Sequence, residues 1–435
     1  MKLALVLLVI APAILAAQQP AADAGFKPIS LQQAVALAQQ NAPSAVQSRG
    51  AIENAAGTLR TTKNQLFPTL TGSLGHSQGA GQQLTNEGAL VTRVSRPNYT
   101  TGLNASYTVF DGGKRVNDIR ARRADLEAAE VAASATTYNL SLQVKQQYYA
   151  ILAAREAETA SRAALDVAQQ QLAAAVARVN AGAAIISDSL RSFVAVGNAQ
   201  LAVLTAQNTV RNASLALTRL TGSDAPVTAT ASDTAGFVVQ PVDSAAVVTL
   251  ALNGPTVRQA EAAVSAANAS VKSARAAYLP SLTASLRYSG SGYDKFYGIG
   301  SDKLAYGNNF SLNASLPLWD GRNRQEAVHR AQVTVANNEA NLRDARLLAQ
   351  QNILQQLATL RSAEERIRIQ QLSVRAAQED LRVQQQRYSL GSSTQLEVST
   401  SLNALNAARQ ALIQARLDYR IARAQIEAII GQELQ

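Results

Sequence analysis

Residues 312–321 read LNASLPLWDG, and residues 103–112 read LNASYTVFDG, the same stretch 209 positions earlier. In both, apolar and polar residues alternate up to an aromatic-Asp-Gly step, and a long proline-free tract follows. Alternation of period two is the pattern of a strand with two unlike faces. A strand that feeds straight into a very long helix, twice, makes the chain a tandem of one structural unit.

Working outward, the strand signal has a partner in each copy. After Pro280, residues Leu282, Ala284, Leu286 and Tyr288 point one way, and Ser281, Thr283, Ser285 and Arg287 the other. After Pro68, Leu70, Gly72 and Leu74 alternate with Thr69, Thr71 and Ser73. The predicted strands are about 68–77 and 99–110 in the first copy and 280–290 and 308–318 in the second. Polar, glycine-rich loops are expected between them, at about 76–98 and 290–308, the second carrying Tyr293, Phe296, Tyr297 and Tyr306.

All eleven prolines lie outside 111–225 and 319–435. Gly182 in RVNAGAA and Gly391 in RYSLGSS break these tracts at matching places, and glycine ends a helix in the left-handed conformation at low cost. Each tract is predicted as a 67-residue helix, 114–180 or 323–389, a tight turn, and a shorter returning helix. At 1.5 Å per residue the long helix spans about 100 Å. Pro43 and Pro255 sit where a first helical turn favours proline, opening helices over about 43–66 and 255–278. Placed end to end, the two shorter helices of each copy total 63 residues, close to the long one's 67.

Composition narrows what such units can do. There is no cysteine and there are only two histidines, His76 and His329, which excludes thiol chemistry and His-rich metal sites. No nucleophile-base set is legible, and the FDGGKR stretch lacks the spacing of a phosphate loop. No cofactor and no enzymatic activity are expected. Residues 1–17 read as a secretory signal peptide, with Lys2 ahead of an apolar run and Ala16-Ala17 before polar Gln18. In an exported chain the net charge of +10 describes solvated helix faces and not a nucleic-acid surface.

No later run is apolar for the roughly 20 residues a spanning helix needs. A membrane crossing would therefore use a closed barrel of strands. Strict alternation over about ten residues suits a strand with lipid on one face and water on the other. A soluble sheet with one buried face remains the alternative, which would make the protein a periplasmic coiled-coil scaffold or adaptor with a soluble β subdomain. Four strands cannot close a membrane barrel, for which about eight is the minimum, so two chains would give eight strands and three would give twelve. Aromatics are only 5% and alanine is abundant, which fits close-packed walls of a hollow helical tube better than a filled bundle.

The Asn-x-Pro helix breaks, the steps Leu66-Phe67-Pro68 and Tyr278-Leu279-Pro280, the LNAS…(F/W)DG junctions and the paired glycine turns together resemble the TolC-like outer membrane efflux protein family, the outer membrane factors of Gram-negative bacteria. The resemblance covers about residues 31–431 as two repeats, 18–222 and 244–435, with a linker at 223–243. It implies a mixed fold: a membrane β-barrel of twelve strands shared by a homotrimer, four per protomer, continued by a long periplasmic α-helical barrel. It further implies an outer membrane exit duct for a tripartite efflux pump or type I secretion system. The partners would be a periplasmic adaptor, an inner membrane transporter and outer membrane lipid.

By family position, Ser187, Asp188, Tyr388 and Glu397 fall at a periplasmic gate, with an Asp188–Tyr388 tie between coils. Ser393 stands where the family's best-known gate has arginine, and Thr400 where it has a second acid. A plainer reading makes Asp188 and Glu397 acids favoured by a helix N-terminus. Arg178, Gly182, Arg387 and Gly391 would form the tip that meets the adaptor. Phe110, Asp111, Gly112, Trp319, Asp320 and Gly321 are expected at the joints between barrel and helices.

Overall fold

A computed structural model of the chain describes residues 25–84, 88–230, 242–293 and 305–434. The expected signal peptide, the middle of the expected linker, and Phe296 and Tyr297 lie outside these residues. Both copies of the unit fold as one pattern. In the first, α1 (Leu31–Asn41) and α2 (Pro43–Asn64) lead to the strands β2 (Thr69–Ser77) and β5 (Asn98–Phe110), then α3 (Lys114–Asn180) and α4 (Ile186–Thr221). In the second, α5 (Ser244–Ala251) and α6 (Pro255–Ala276) lead to β7 (Ser281–Tyr293), β8 (Ala305–Ser315), α7 (Asn323–Ser389) and α8 (Gln395–Ile430).

The proline-free tracts give two helices of 67 residues each, as predicted. The returning helices are 36 residues long and start at Ile186 and Gln395, because the residues after Gly182 and Gly391 complete the turn and end in the extended N-caps Ile185 and Thr394. Side by side, the wall runs α2 end to end with α4, then α3, then α6 end to end with α8, then α7. Alanine makes the seams: Ala121, Ala124, Ala135, Ala154, Ala168 and Ala175 are the repeated buried positions of α3. Small side chains let long helices lie close without a thick core.

Larger apolar residues gather near the middle of each long helix. Val144, Tyr148, Ile151 and Leu152 of α3 bury against Ala34, Ala38 and Leu217. At the equivalent height Ile353, Leu357 and Leu360 of α7 bury against Val247, Tyr419 and Ile426. Two short strands complete the first cluster. β1 (Lys27–Ile29) pairs in parallel with β6 (Val227–Ala229), and the Tyr148 hydroxyl donates to the Ile29 carbonyl at 3.1 Å. The polar leader and the expected linker therefore both contribute structure at this belt, since β6 lies inside 223–243.

The strands β2, β5, β7 and β8 form one antiparallel sheet in the order β2-β5-β7-β8. Its register sorts the side chains into two faces. Leu103 opposes Tyr288, Ala105 opposes Leu286, and Leu286 opposes Phe310 on one face. Asn104, Arg287 and Asn309 are aligned on the other, beside Ser285 and Ser311. The apolar face is exposed: Leu70, Leu74, Leu103, Leu286, Phe310 and Leu312 have no cover within the chain. No described helix is long and apolar enough to cross a membrane. A sheet with one continuous exposed apolar face and one polar face has the pattern of strands that meet lipid on one side and water on the other.

Three expectations about the sheet change. The first loop is partly ordered as a hairpin, β3 (Ala80–Leu84) with β4 (Leu90–Val94); five-residue strands in a glycine-rich setting give little periodicity to read. Tyr293 ends β7 and Tyr306 belongs to β8, where it stacks on Tyr288 with ring centroids 5.4 Å apart, so the second loop is shorter than 290–308. β8 stops at Ser315 and not at Leu318. Its partner β7 begins at Ser281, after Pro280, and the last pair is Ser281 with Ser315. Pro280 and Pro317 each lack the N–H that would continue the ladder between them.

Candidate functional site

Two places along the wall hold the expected functional residues: the joints where strands become helices, and the tip where helices turn. Each joint is built around an aspartate. Asp111 Oδ2 accepts from the Arg115 backbone N–H at 3.1 Å and from Arg115 Nε at 2.8 Å. Asp320 Oδ2 does the same for Arg324, at 3.0 and 2.9 Å. The aspartate thus satisfies an unpaired N–H of the first helical turn while its arginine braces the corner. These ion pairs are half-buried, with both partners at or below 23% side-chain exposure.

The arginines tie the joint to its surroundings in different ways. Arg115 also donates to the Gln65 carbonyl at 3.2 Å and the Thr108 carbonyl at 2.5 Å, linking the end of α2 to the end of β5. Arg324 stands over the Tyr278 ring at 5.1 Å. Phe110 closes β5, paired with Leu282 across a register shift. Trp319 lies beyond β8 and is 78% exposed.

The backbone turns the corner in the left-handed region. Gly112 and Gly113 have φ of 69° and 77°, and Gly321 and Arg322 have 66° and 69°. A Cβ on Gly112 would lie 2.5 Å from Leu279 Cβ and 2.7 Å from the Ala276 carbonyl, whereas one on Gly321 would meet open space.

At the far end, Gly182 and Gly391 adopt φ of 72° and 77° and reverse the chain as expected. Arg178, near the end of α3, crosses to the second unit. Its guanidinium sits 4.5 Å from the centroid of the Tyr388 ring and donates to the Tyr388 carbonyl. Arg387, its counterpart on α7, stays exposed. Tyr388 packs on the cluster of Leu381, Val398, Leu402 and Leu405, and its buried hydroxyl has no hydrogen-bond partner. The phenol's pKa is raised, first by burial; the Arg178 charge opposes this and the Asp188 charge adds to it. Asp188 stands in the first turn of α4, and within one chain it forms no hydrogen bond with the Tyr388 hydroxyl.

Glu397 behaves differently from Asp188. It closes a capping box on α8: its carboxylate accepts from the Thr394 N–H at 3.0 Å, and its own N–H donates to Thr394 Oγ1 at 3.3 Å. The Ser393 hydroxyl donates to the same carboxylate. These bonds, Ser393 first, hold the Glu397 pKa below the usual carboxylate range, with Arg387 adding a smaller pull. Ser187 lies in the first turn of α4 and Thr400 donates to the Leu396 carbonyl at 2.9 Å. Sequence reading missed the Arg178 clasp and a second link, Gln395 Nε2 to Ser192 Oγ at 3.0 Å. Both join residues about two hundred positions apart, for which local sequence carries no signal. Thr394-x-x-Glu397, by contrast, is a capping-box spacing that could have been read. Among the described residues no group of side chains could hold a metal ion.

The outer membrane efflux protein family matches the chain over residues 34–223 and 247–432. Protein CyaE of Bordetella pertussis is 26% identical over 358 residues, covering 81% of this chain and 73% of that protein. The pyoverdine export outer membrane protein OpmQ of Pseudomonas aeruginosa is 28% identical over 386 residues, covering 84% and 76%. In fold, a crystal structure of CusC superposes with a TM-score of 0.79 at 22% identity, covering 97% of both chains. The open state of the Neisseria gonorrhoeae MtrE outer membrane channel gives 0.76 at 22% identity, covering 93% and 89%.

Proposed function

The chain belongs to the outer membrane efflux protein family, and from that premise we propose how its four-stranded sheet and long helices assemble into a working duct. It is an outer membrane exit channel of a tripartite efflux pump or secretion system, with a periplasmic helical barrel. The soluble scaffold considered from sequence is set aside by that membership. The names of its relatives include pyoverdine export and cation efflux, so what they have in common is the conduit. We infer that three copies close the barrel, that conduction is passive, and that a periplasmic adaptor links the tip to an inner membrane transporter.

The observation that carries assembly between copies is the pair of open edges on a sheet with an exposed apolar face, and three is the number of copies that the family resemblance implies. β2 and β8 each have one unpaired side, and unpaired backbone polar groups within lipid cost several kcal/mol, about 2–7 each by transfer measurements. The helices end in the same way. α4 leaves Ile186, Leu190 and Phe193 exposed on one flank, and α7 leaves Leu347, Ile369 and Leu372 exposed on the other. The seam inside the chain, β5 on β7 and α3 on α6 and α8, supplies a template for the seam between chains, β8 on β2 and α7 on α2 and α4. Carried across by the repeat, Gly102 opposite Ser289 becomes Ser311 opposite Ser77 of a second copy.

Because the chain has no cysteine, the double variant Ser311→Cys/Ser77→Cys tests this directly. Mild oxidation should give covalent species up to three chains and no more. A ladder ending at two, or no cross-link in a properly inserted protein, would refute the assembly.

At the tip, the Arg178–Tyr388 clasp is the proposed closing contact within a protomer, with Asp188 beside it. Gly182 and Gly391 with Arg178 and Arg387 present the end of the tube to the adaptor. Replacing Arg178 with Ala should raise single-channel conductance in planar bilayers; an unchanged conductance would remove it from the gate.

A further inference from the structure

The four strands of the sheet carry a single lysine, arginine or carboxylate side chain. β2, β5, β7 and β8 contain no Asp, Glu or Lys, and Arg287 is their only Arg. It is the seventh of thirteen residues in β7, so it stands at mid-height. The register sets it between Asn104 of β5 and Asn309 of β8. On the same face the hydroxyls of Ser285 and Ser311 bond each other at 2.7 Å. The lipid-facing side chains are all on the opposite face, and an arginine there would cost about 2–4 kcal/mol at the bilayer midplane. Arg287 is exposed on the polar face, with no acidic residue on any of the four strands to neutralise it.

We propose that Arg287 is an anion-binding site inside the barrel: once per subunit, it forms a cationic ring that recognises multiply charged anionic solutes, phosphorylated or carboxylated, on their way out. The ring rests on the three-chain barrel inferred above. Twelve strands at 4.7–4.9 Å spacing and about 40° tilt close a backbone cylinder of radius about 12 Å. The arginine side chain covers part of that radius. A solute on the axis therefore passes within about a Debye length, roughly 8–10 Å at physiological salt, of all three guanidinium groups. Guanidinium matches carboxylate and phosphate with paired N–H donors. The amides of Asn104 and Asn309, on the neighbouring strands, add neutral donors at the same height. A compact polyanion can engage several of these groups at once, while a monovalent anion or a cation cannot.

Single-channel recording of the full-length protein in planar bilayers tests the site, with inositol hexakisphosphate added on the side of the barrel away from the helices. Wild type should show block that weakens as salt rises from 0.1 to 1 M. R287Q should weaken the block about tenfold or more, as expected for lost charge-assisted hydrogen bonds, while R287K keeps part of it. Block that is the same in R287Q, or indifferent to salt in wild type, overturns the ring. Wild type that forms no heat-sensitive oligomer and no conducting pore would instead refute the duct itself, so the two failures are separable. Should R287Q assemble poorly, the salt dependence in wild type and the R287K comparison still decide the matter.

Discussion

The two joints share a motif and differ in their surroundings. At the first, Gly112 is pressed against Ala276 and Leu279 of the second repeat, because β5 and α3 lie inside the protomer. At the second, Gly321 faces open space, because β8 and α7 form its edge. The repeat predicts what belongs there: Phe67 and Asn64 of a second copy, the counterparts of Leu279 and Ala276. The first joint thus shows, within one chain, the contact that is proposed for the second between chains. The residues at the corner also differ, since Gly113 has Arg322 as its counterpart in the same left-handed conformation.

Substitutions can break this pairing in graded ways. The largest effect is expected at Gly112. Gly112→Ala forces a Cβ into contact with backbone and Leu279 in a left-handed residue, and should cost at least about 2 kcal/mol, read as failure to insert a folded chain. Gly321→Ala should leave the single chain folded and instead lower the yield of heat-sensitive trimer. If both variants fail at the same stage, the proposed equivalence of the seams is wrong. Arg115→Ala should cost more than Arg324→Ala, about 2–3 against about 1 kcal/mol, because Arg115 holds two carbonyls in addition to its aspartate; denaturant midpoints of the isolated trimer compare them. The smallest change should be a gain. Arg322→Gly relieves a left-handed arginine and should stabilise the second joint by about 1 kcal/mol, seen as a higher melting temperature.

The tip offers a comparison of its own. Glu397 has a depressed folded-state pKa, so its contribution to the start of α8 is present above the ordinary carboxylate range and disappears as pH falls through the depressed value. The protection of the Thr394–Glu397 amides, taken relative to their intrinsic exchange rate at each pH, should therefore fall on acidification below about pH 4, the usual range for glutamate. Glu397→Gln preserves the capping geometry and should remove that pH dependence. A large change of ion selectivity in Glu397→Gln would show that the residue acts on the pore and not on its helix.

Much of this architecture is legible because the protein repeats itself and punctuates its elements clearly. Asp-Gly opens each 67-residue helix, a glycine closes it, and every proline sits at an element boundary or outside the long tracts. The strands β5 and β7 announce themselves by alternation. β8 is overread at its end because its alternation continues through Leu318 after its partner has stopped. The short strands β1 and β6 are three residues each, too brief for any period, and are tied to α3 by Tyr148, which donates to Ile29, and by Arg155, which donates to Thr228. Arg178 is unremarkable in sequence; its significance comes from Tyr388 lying across the tip, a contact set by the whole length of α3 and α7. The joint ion pairs are of the opposite kind, since Asp and Arg four residues apart at a helix start are a local pattern.

The β1–β6 pairing has a consequence for synthesis and export. Lys27 lies against Val227 and Ile29 against Ala229, so the first repeat is a closed loop, fastened where it begins and where it ends. A chain delivered amino terminus first can fasten that loop, with Tyr148 as its pin, before the second repeat has emerged. The second half would then meet a partner whose helices are already held at their waist. Order of arrival, and not only final contacts, would thus help decide which long helix pairs with which.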